Sequence, residues 1–401
     1  MRAPRHLLPV LVLAQLLGVS PWFAVNAVMG DLQRAQGFSP QAVGTLSAGI
    51  QLGFIAGTLV FALTALADRF AARRVFVLSA LAAAACTLAA MTRAQDFDEL
   101  LVWRFATGFC LAGIYPVGMK LASLWFPQGL GAALGWLVGA LVLGSASPHL
   151  LRALGTSWPW EAVFVAVAAA CALAALLVWR LVPEPAPRPP AALRLSALAS
   201  LWTERRVRAS VLGYFGHMWE LYTLWVLLPL ILATRLAAPA AVSGWAFVAL
   251  GAGALGCVAG GLLAHRRGAG GSARVAVLLL ALSGACCLAA PWMLQAPLPL
   301  FLAWLVLWGI TAAGDSPQFS ALTAGNAPQA SVGSVLTFTN CIGFAISAAS
   351  IELFVRLAQQ FPLAQLLPWL ALGPAVGLLA MQPLLRRPRL EPARYDSGHD
   401  A

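Results

Sequence analysis

Apolar residues run in long unbroken stretches along the chain, and the polar positions are bunched in short clusters between them. Twelve such runs can be placed, at about 7–27, 42–66, 75–92, 98–124, 130–154, 160–182, 209–232, 241–264, 275–295, 298–322, 331–356 and 362–385. A helix needs roughly 20 apolar residues to cross a ~30 Å hydrocarbon layer, and most of the runs are that long. A membrane barrel would need alternating polarity, which these continuous runs lack. The pattern predicts an all-α membrane protein with twelve transmembrane helices in two pseudo-symmetric six-helix bundles. The division falls at Pro183 to Arg206, "PEPAPRPPAALRLSALASLWTERR", a long proline-rich and charged interval that separates six runs from six. The expected units are an N-terminal bundle over 1–182, a cytoplasmic linker over 183–208, a C-terminal bundle over 209–385 and a polar tail over 386–401.

Composition agrees with the pattern. Hydrophobic residues make up 61% and charged residues 10%, against about 25% charged in ordinary soluble domains. The formal net charge of +11 would suggest nucleic acid if it were spread evenly. It is not. With the N-terminus inside, 18 arginines fall on the cytoplasmic side and 5 outside, so the positive-inside rule puts both termini in the cytoplasm. The basic loops are expected to meet lipid head groups rather than nucleic acid. The first 30 residues resemble a secretory signal, but the run is long and its loss would leave an odd number of spans. All seven cysteines lie in predicted spans without metal-ligand spacing, so they read as packing residues and no metal or cofactor is expected. The reading places a monomer in a bacterial inner membrane.

"LAGIYPVGMK" (Leu111 to Lys120) and "AAGDSPQFSA" (Ala312 to Ala321) align without a gap at an offset of 201 residues. Trp103 matches Trp304, Gly108 matches Gly309, Gly113 matches Gly314 and Pro116 matches Pro317; Pro127 with Pro328 and Gln128 with Gln329 continue the register. A half-chain offset points to duplication, and parallel six-span repeats describe a secondary transporter with its site between the halves. Glycines allow close helix contact, and Pro116 and Pro317 are candidate helix bends.

"TALADRFAARR" (Thr64 to Arg74) resembles the G-x-x-x-D-R-x-G-x-R-R signature of the major facilitator superfamily, with Thr64 and Ala71 in place of the glycines. "LVWRFATGF" and "GWLVGALVLGSASP" resemble the family's patterns in spans four and five. The resemblance implies alternating access by a secondary active transporter, and a cytoplasmic gate in which Asp68, Arg69, Arg73 and Arg74 brace helices two and eleven. "TNCIGFAIS" (Thr339 to Ser347) is loosely similar to nitrate/nitrite and small-anion porters, although those porters' arginines in spans two and eight have no counterpart here.

Ionisable residues within a span cost roughly 2.5–3.5 kcal/mol each on insertion scales, so each needs a reason. Arg104 either pairs with backbone carbonyls or takes part in coupling or anion attraction. Lys120, sixteen residues on, is rotated 160° from it at 100° per residue; it is expected to snorkel to the head groups. Glu220 and Asp315 are candidate proton-coupling carboxyls, with His217 as relay. Arg104, Trp22, Asn26, Gln51, Tyr115, Tyr222, Gln318 and Asn340 are candidate cavity residues. The expected function is proton-coupled movement of a small solute, an organic or inorganic anion. The alternatives are a non-transporting receptor or scaffold with the same fold, a nitrate/nitrite porter, or drug efflux. No nucleophile–base set such as GxSxG or HExxH occurs, so no enzyme is expected.

Overall fold

A computed structural model describes residues 4–126, 130–155, 157–184, 193–268 and 270–385. Pro127, Gln128, residues 185–192 of the proline-rich interval and the tail lie outside the described residues. Among the described residues, twelve helices are long and apolar enough to cross a membrane: α1 (Leu7–Ala27), α2 (Ala42–Leu63), α3 (Ala72–Thr92), α4 (Phe97–Trp125), α5 (Ala133–Leu154), α6 (Glu161–Leu181), α7 (Arg205–Ala233), α8 (Pro239–Arg266), α9 (Gly271–Met293), α10 (Leu298–Asn326), α11 (Val332–Leu357) and α12 (Leu363–Leu385). No strand occurs among the described residues. A short helix, Ser196–Thr203, leads into α7. With twelve alternating spans, Leu7 and Leu385 lie on the same face of the bundle, called here the terminal face.

Polarity is inverted relative to a water-soluble fold. Leu78, Leu255 and Leu379 are about two-thirds exposed, while Arg104, His217, Glu220 and Asp315 are at most 2% exposed. Lipid is the natural solvent for such a surface, and the polar groups must find partners inside. The spans differ in how far they are enclosed: 83% of the apolar window of α7 is buried, against 33% for α12. α7 is therefore a central helix, and its side chains carry much of the chemistry described below.

The duplication is visible in the packing. A Cβ added to Gly108 would lie 1.9 Å from the carbonyl oxygen of Ile50; one added to its repeat mate Gly309 would lie 1.9 Å from that of Ala249. Gly57 and Gly256 stand in the same relation to the carbonyls of Phe109 and Ile310, at 2.5 and 2.1 Å. The pair α2–α4 is thus rebuilt as α8–α10. Only a residue without a side chain lets two helix backbones approach this closely. Gly108→Ala and Gly309→Ala should each lower the melting temperature in detergent, at a cost of at least about 1–3 kcal/mol from overpacking. Gly325→Ala, where a Cβ meets nothing within 4 Å, should leave it unchanged.

Both repeats also break at equivalent places. α4 is helical over Phe97–Leu111 and again from Tyr115, with Pro116 in the first turn of the second piece. α10 stops at Gly314 and resumes at Ser316, with Pro317 in the corresponding position and Asp315 at the joint. Pro317 has no N–H, so the carbonyl of Ala313 lacks its helical donor. Cys257 of α8 supplies one, its Sγ lying 3.2 Å from that oxygen. α1 has a break of its own, narrowing to a 3-10 turn over Ser20–Phe23.

Candidate functional site

The two halves enclose a small central cavity of about 30 Å³, room for a water but not for a solute. α7 forms one wall through Tyr214, Met218, Leu221, Tyr222 and Trp225, which recur at helical spacing. Tyr115 of α4 and Val138, Leu141 and Val142 of α5 face it from the other half. Ser316 and Ser320, one turn apart after the α10 break, and Asn340 of α11 add polar groups.

The two faces of the molecule differ in how the halves meet. Beyond the cavity, away from the terminal face, an aromatic layer crosses from one half to the other. Trp22 stacks on Tyr222 at 5.9 Å, Phe54 meets Phe344 at 4.7 Å, and Phe23 meets Trp225 edge-on at 5.6 Å. Further out, Thr45 donates to Glu352 at 3.3 Å, and Arg356 holds the same carboxylate at 2.7 Å. Toward the terminal face the halves part. One cleft of about 300 Å³ separates α2 and α4 from α11, and another of about 480 Å³ lies among α5, α8 and α10. The molecule is closed on one side of the cavity and loosened on the other.

The buried ionisable groups fall into two kinds. His217 Nδ1 stands 2.8 Å from Asp315 Oδ1, between α7 and α10. The contact is an ion-pair distance without hydrogen-bond alignment, and both Asp315 oxygens and His217 Nε2 have no hydrogen-bond partner. The imidazole is packed against Tyr214 at 5.9 Å and Phe319 at 5.6 Å. Asp315 sits at the helix joint, next to Ser316 of the cavity wall. Glu220, one turn further along α7, is saturated instead. Trp308 Nε1 donates to it at 2.6 Å, Ser283 Oγ at 2.9 Å and Cys287 Sγ at 3.3 Å, all within the C-terminal half.

Arg104 donates to the carbonyls of Pro21 at 2.9 Å and Trp22 at 2.6 Å, and so fastens α4 to the narrowed stretch of α1. Its guanidinium does not line the cavity. Lys120 does not reach for head groups as expected from its position near a span end. It bonds to the carbonyl of Ala67 at 2.5 Å and pairs with Asp68, because the α2–α3 turn brings both acceptors beneath it. In that turn Ala65 adopts a left-handed conformation, φ 50°.

The structure gathers some of the remaining candidates and scatters others. Arg73 lies 3.4 Å from Glu184 and stacks over Trp179 at 5.0 Å, so it faces the end of α6 rather than α11. Arg69 and Arg74 are exposed. Tyr115, Tyr222 and Asn340 share the central cavity. Trp22 belongs to the aromatic layer, and Asn26 donates to Ser47 at 2.8 Å. Gln51 is buried away from the cavity wall, and Gln318 lines the cleft among α5, α8 and α10. Tyr214, Ser316 and Ser320 were not anticipated. The signal was present: Tyr214, Met218, Leu221 and Trp225 mark one face of α7 at i, i+4, i+7 and i+11. Among the described residues no group of three His, Cys, Asp or Glu could hold a metal ion.

The sequence matches the Major Facilitator Superfamily over residues 11–351. The chain belongs to the major facilitator superfamily. Within it, the Escherichia coli inner membrane transport protein YnfM is 26% identical over 178 residues, 44% of this chain and 42% of that one. A Haemophilus influenzae protein named for metabolite transport is 31% identical over 150 residues, 36% of this chain and 34% of that one. The chain thus matches between a third and a half of the length of these curated relatives. The fold extends further than the sequence likeness. The human organic anion transporter MFSD10 superposes with a TM-score of 0.74 at 18% identity, covering 95% of this chain and all of that one. The proton:xylose symporter XylE gives 0.74 at 14% identity, covering 93% of each chain. At such identities these superfamily members share the architecture and say nothing of the solute.

Proposed function

We propose that the protein is a secondary transporter that carries a small organic solute through the central cavity by alternating access, coupled to proton movement at the His217–Asp315 pair. The carrying observation is that pair: a buried carboxylate whose one polar partner among the described residues is an imidazole, on the joint of a broken helix, beside a cavity that both halves enclose. Charge in a low-dielectric interior with a single titratable partner is costly, so such a site favours a change of protonation with a change of surroundings. With one shared proton the pair is neutral; without it the pair carries −1. The other titratable groups nearby are Tyr214 and Glu220 on α7 and Cys257 on α8. The opposite rims, closed on one face and parted on the other, support a rocking motion about the cavity.

The cavity lining weighs against the anion and nitrate readings. Among the described residues it contains no lysine or arginine, and Arg104 and Lys120 are both engaged elsewhere. The test is uptake into proteoliposomes of purified protein under an imposed pH gradient, with a panel of labelled metabolites. Gradient-dependent accumulation of one class is expected; saturable binding with no flux would favour the receptor reading.

The arginine distribution supports placing the terminal face in the cytoplasm of a bacterial inner membrane. Reporter fusions after Arg188 and after Arg389 should both read cytoplasmic. An external reading at either would overturn the orientation.

A further inference from the structure

The chain has four tyrosines, and three of them, Tyr115, Tyr214 and Tyr222, line one cavity together with Trp225 and Phe344. These five aromatic residues come from three helices, α4, α7 and α11, and from both halves, which packing alone does not require. Aromatic faces are electronegative and attract cations, most strongly where water is excluded. Among the described residues, no lysine or arginine lines the space to oppose that field. A buried carboxylate, Asp315, adjoins Ser316 of the wall; it is 0% exposed, and its one polar neighbour among the described residues is His217 Nδ1 at 2.8 Å. A charge so placed acts over several ångströms, because little solvent screens it. The rest of the lining, Val138, Leu141, Val142 and Met218, suits an apolar body.

We propose that the central cavity binds a small organic cation, an ammonium group carried on an aromatic or aliphatic body. The assignment rests on the cavity being the solute site, as argued above, and it fixes the sense of coupling. A monovalent cation arriving beside the neutral His217–Asp315 pair replaces its one shared proton, and the occupied site keeps its net charge. Cation moves one way and proton the other. The cavity holds only about 30 Å³ in this conformation, so binding requires the halves to part further on the terminal side, where they are already loosened.

The experiment uses the full-length protein in detergent and three solutes of similar size. Phenyltrimethylammonium is the cation, tert-butylbenzene its uncharged isostere, and benzoate an aromatic anion. Thermal stabilisation should saturate with the cation at concentrations at least about tenfold lower than with the isostere, the scale of a desolvated cation–π contact. Benzoate should give no shift. Tyr222→Leu should weaken cation binding about tenfold, whereas Tyr222→Phe, which keeps the ring face, should remain near wild type. Equal stabilisation by the isostere, stabilisation by benzoate, or no saturable shift with the cation would overturn the assignment. Proton release, followed with a pH dye, separates this from the coupling reading. Cation binding without proton release would support the solute class and remove the His217–Asp315 pair from coupling.

Discussion

Asp315→Asn is expected to abolish solute accumulation driven by a pH gradient while leaving solute exchange between equal concentrations intact. The substitution keeps the shape of a side chain at the α10 joint, where the main-chain carbonyl already accepts from Gln318 at 2.9 Å and Phe319 at 3.1 Å. It removes the one group of the pair that can carry negative charge. His217 then has no ionic partner within 2.8 Å, and the neutral pair can no longer shed a proton as the solute arrives. Exchange at saturating solute needs only the two halves to rock around an occupied cavity; losing the carboxylate weakens occupancy but leaves that movement in place. The measurement is paired: gradient-driven uptake and counterflow in the same proteoliposomes. Uptake at wild-type level in Asp315→Asn would remove this residue from coupling. Loss of both activities with intact folding would make it part of solute binding instead.

Much of the fold could be read directly from the chain, because lipid imposes a simple rule. A span must be long and apolar, and α1, α10, α11 and α12 begin or end within a few residues of the runs seen in the sequence. The duplication was legible for a related reason. At Gly108 and Gly309 an added Cβ would lie 1.9 Å from a main-chain oxygen of the facing helix, so only glycine fits, and the repeat is legible there while the surrounding apolar residues differ. The site was harder to read. Arg104 and Lys120 are each the sort of residue that marks a pathway, yet one is spent on the carbonyls of α1 and the other on Asp68. Both partners are far away in sequence, and no local pattern announces a hydrogen bond across 83 residues. The same limit separates Glu220 from Asp315. Each is a lone acid in an apolar run, and what distinguishes them is the set of donors that other helices bring to one and withhold from the other.

That distinction leads to a different expectation for Glu220. Three donors converge on its carboxylate from α9 and α10: Trp308, Ser283 and Cys287. An indole N–H can only donate, so Glu220→Ala leaves Trp308 with nothing to bond inside a dry bundle. Ser283 has an alternative acceptor in the carbonyl of Leu280 at 3.1 Å, so its loss is milder. The expected cost is about 1–3 kcal/mol for the stranded donor, with a further penalty for the space vacated. Glu220→Gln should behave otherwise. The amide oxygen still accepts from Trp308, and the amide nitrogen can donate to Ser283 once that hydroxyl turns to Leu280. Melting in detergent should therefore fall clearly for Glu220→Ala and little for Glu220→Gln, and the Gln variant should retain gradient-driven uptake. A Gln variant that is fully stable yet cannot accumulate solute would reverse the two roles, assigning the coupling proton to Glu220 and leaving Asp315 to hold the α10 joint.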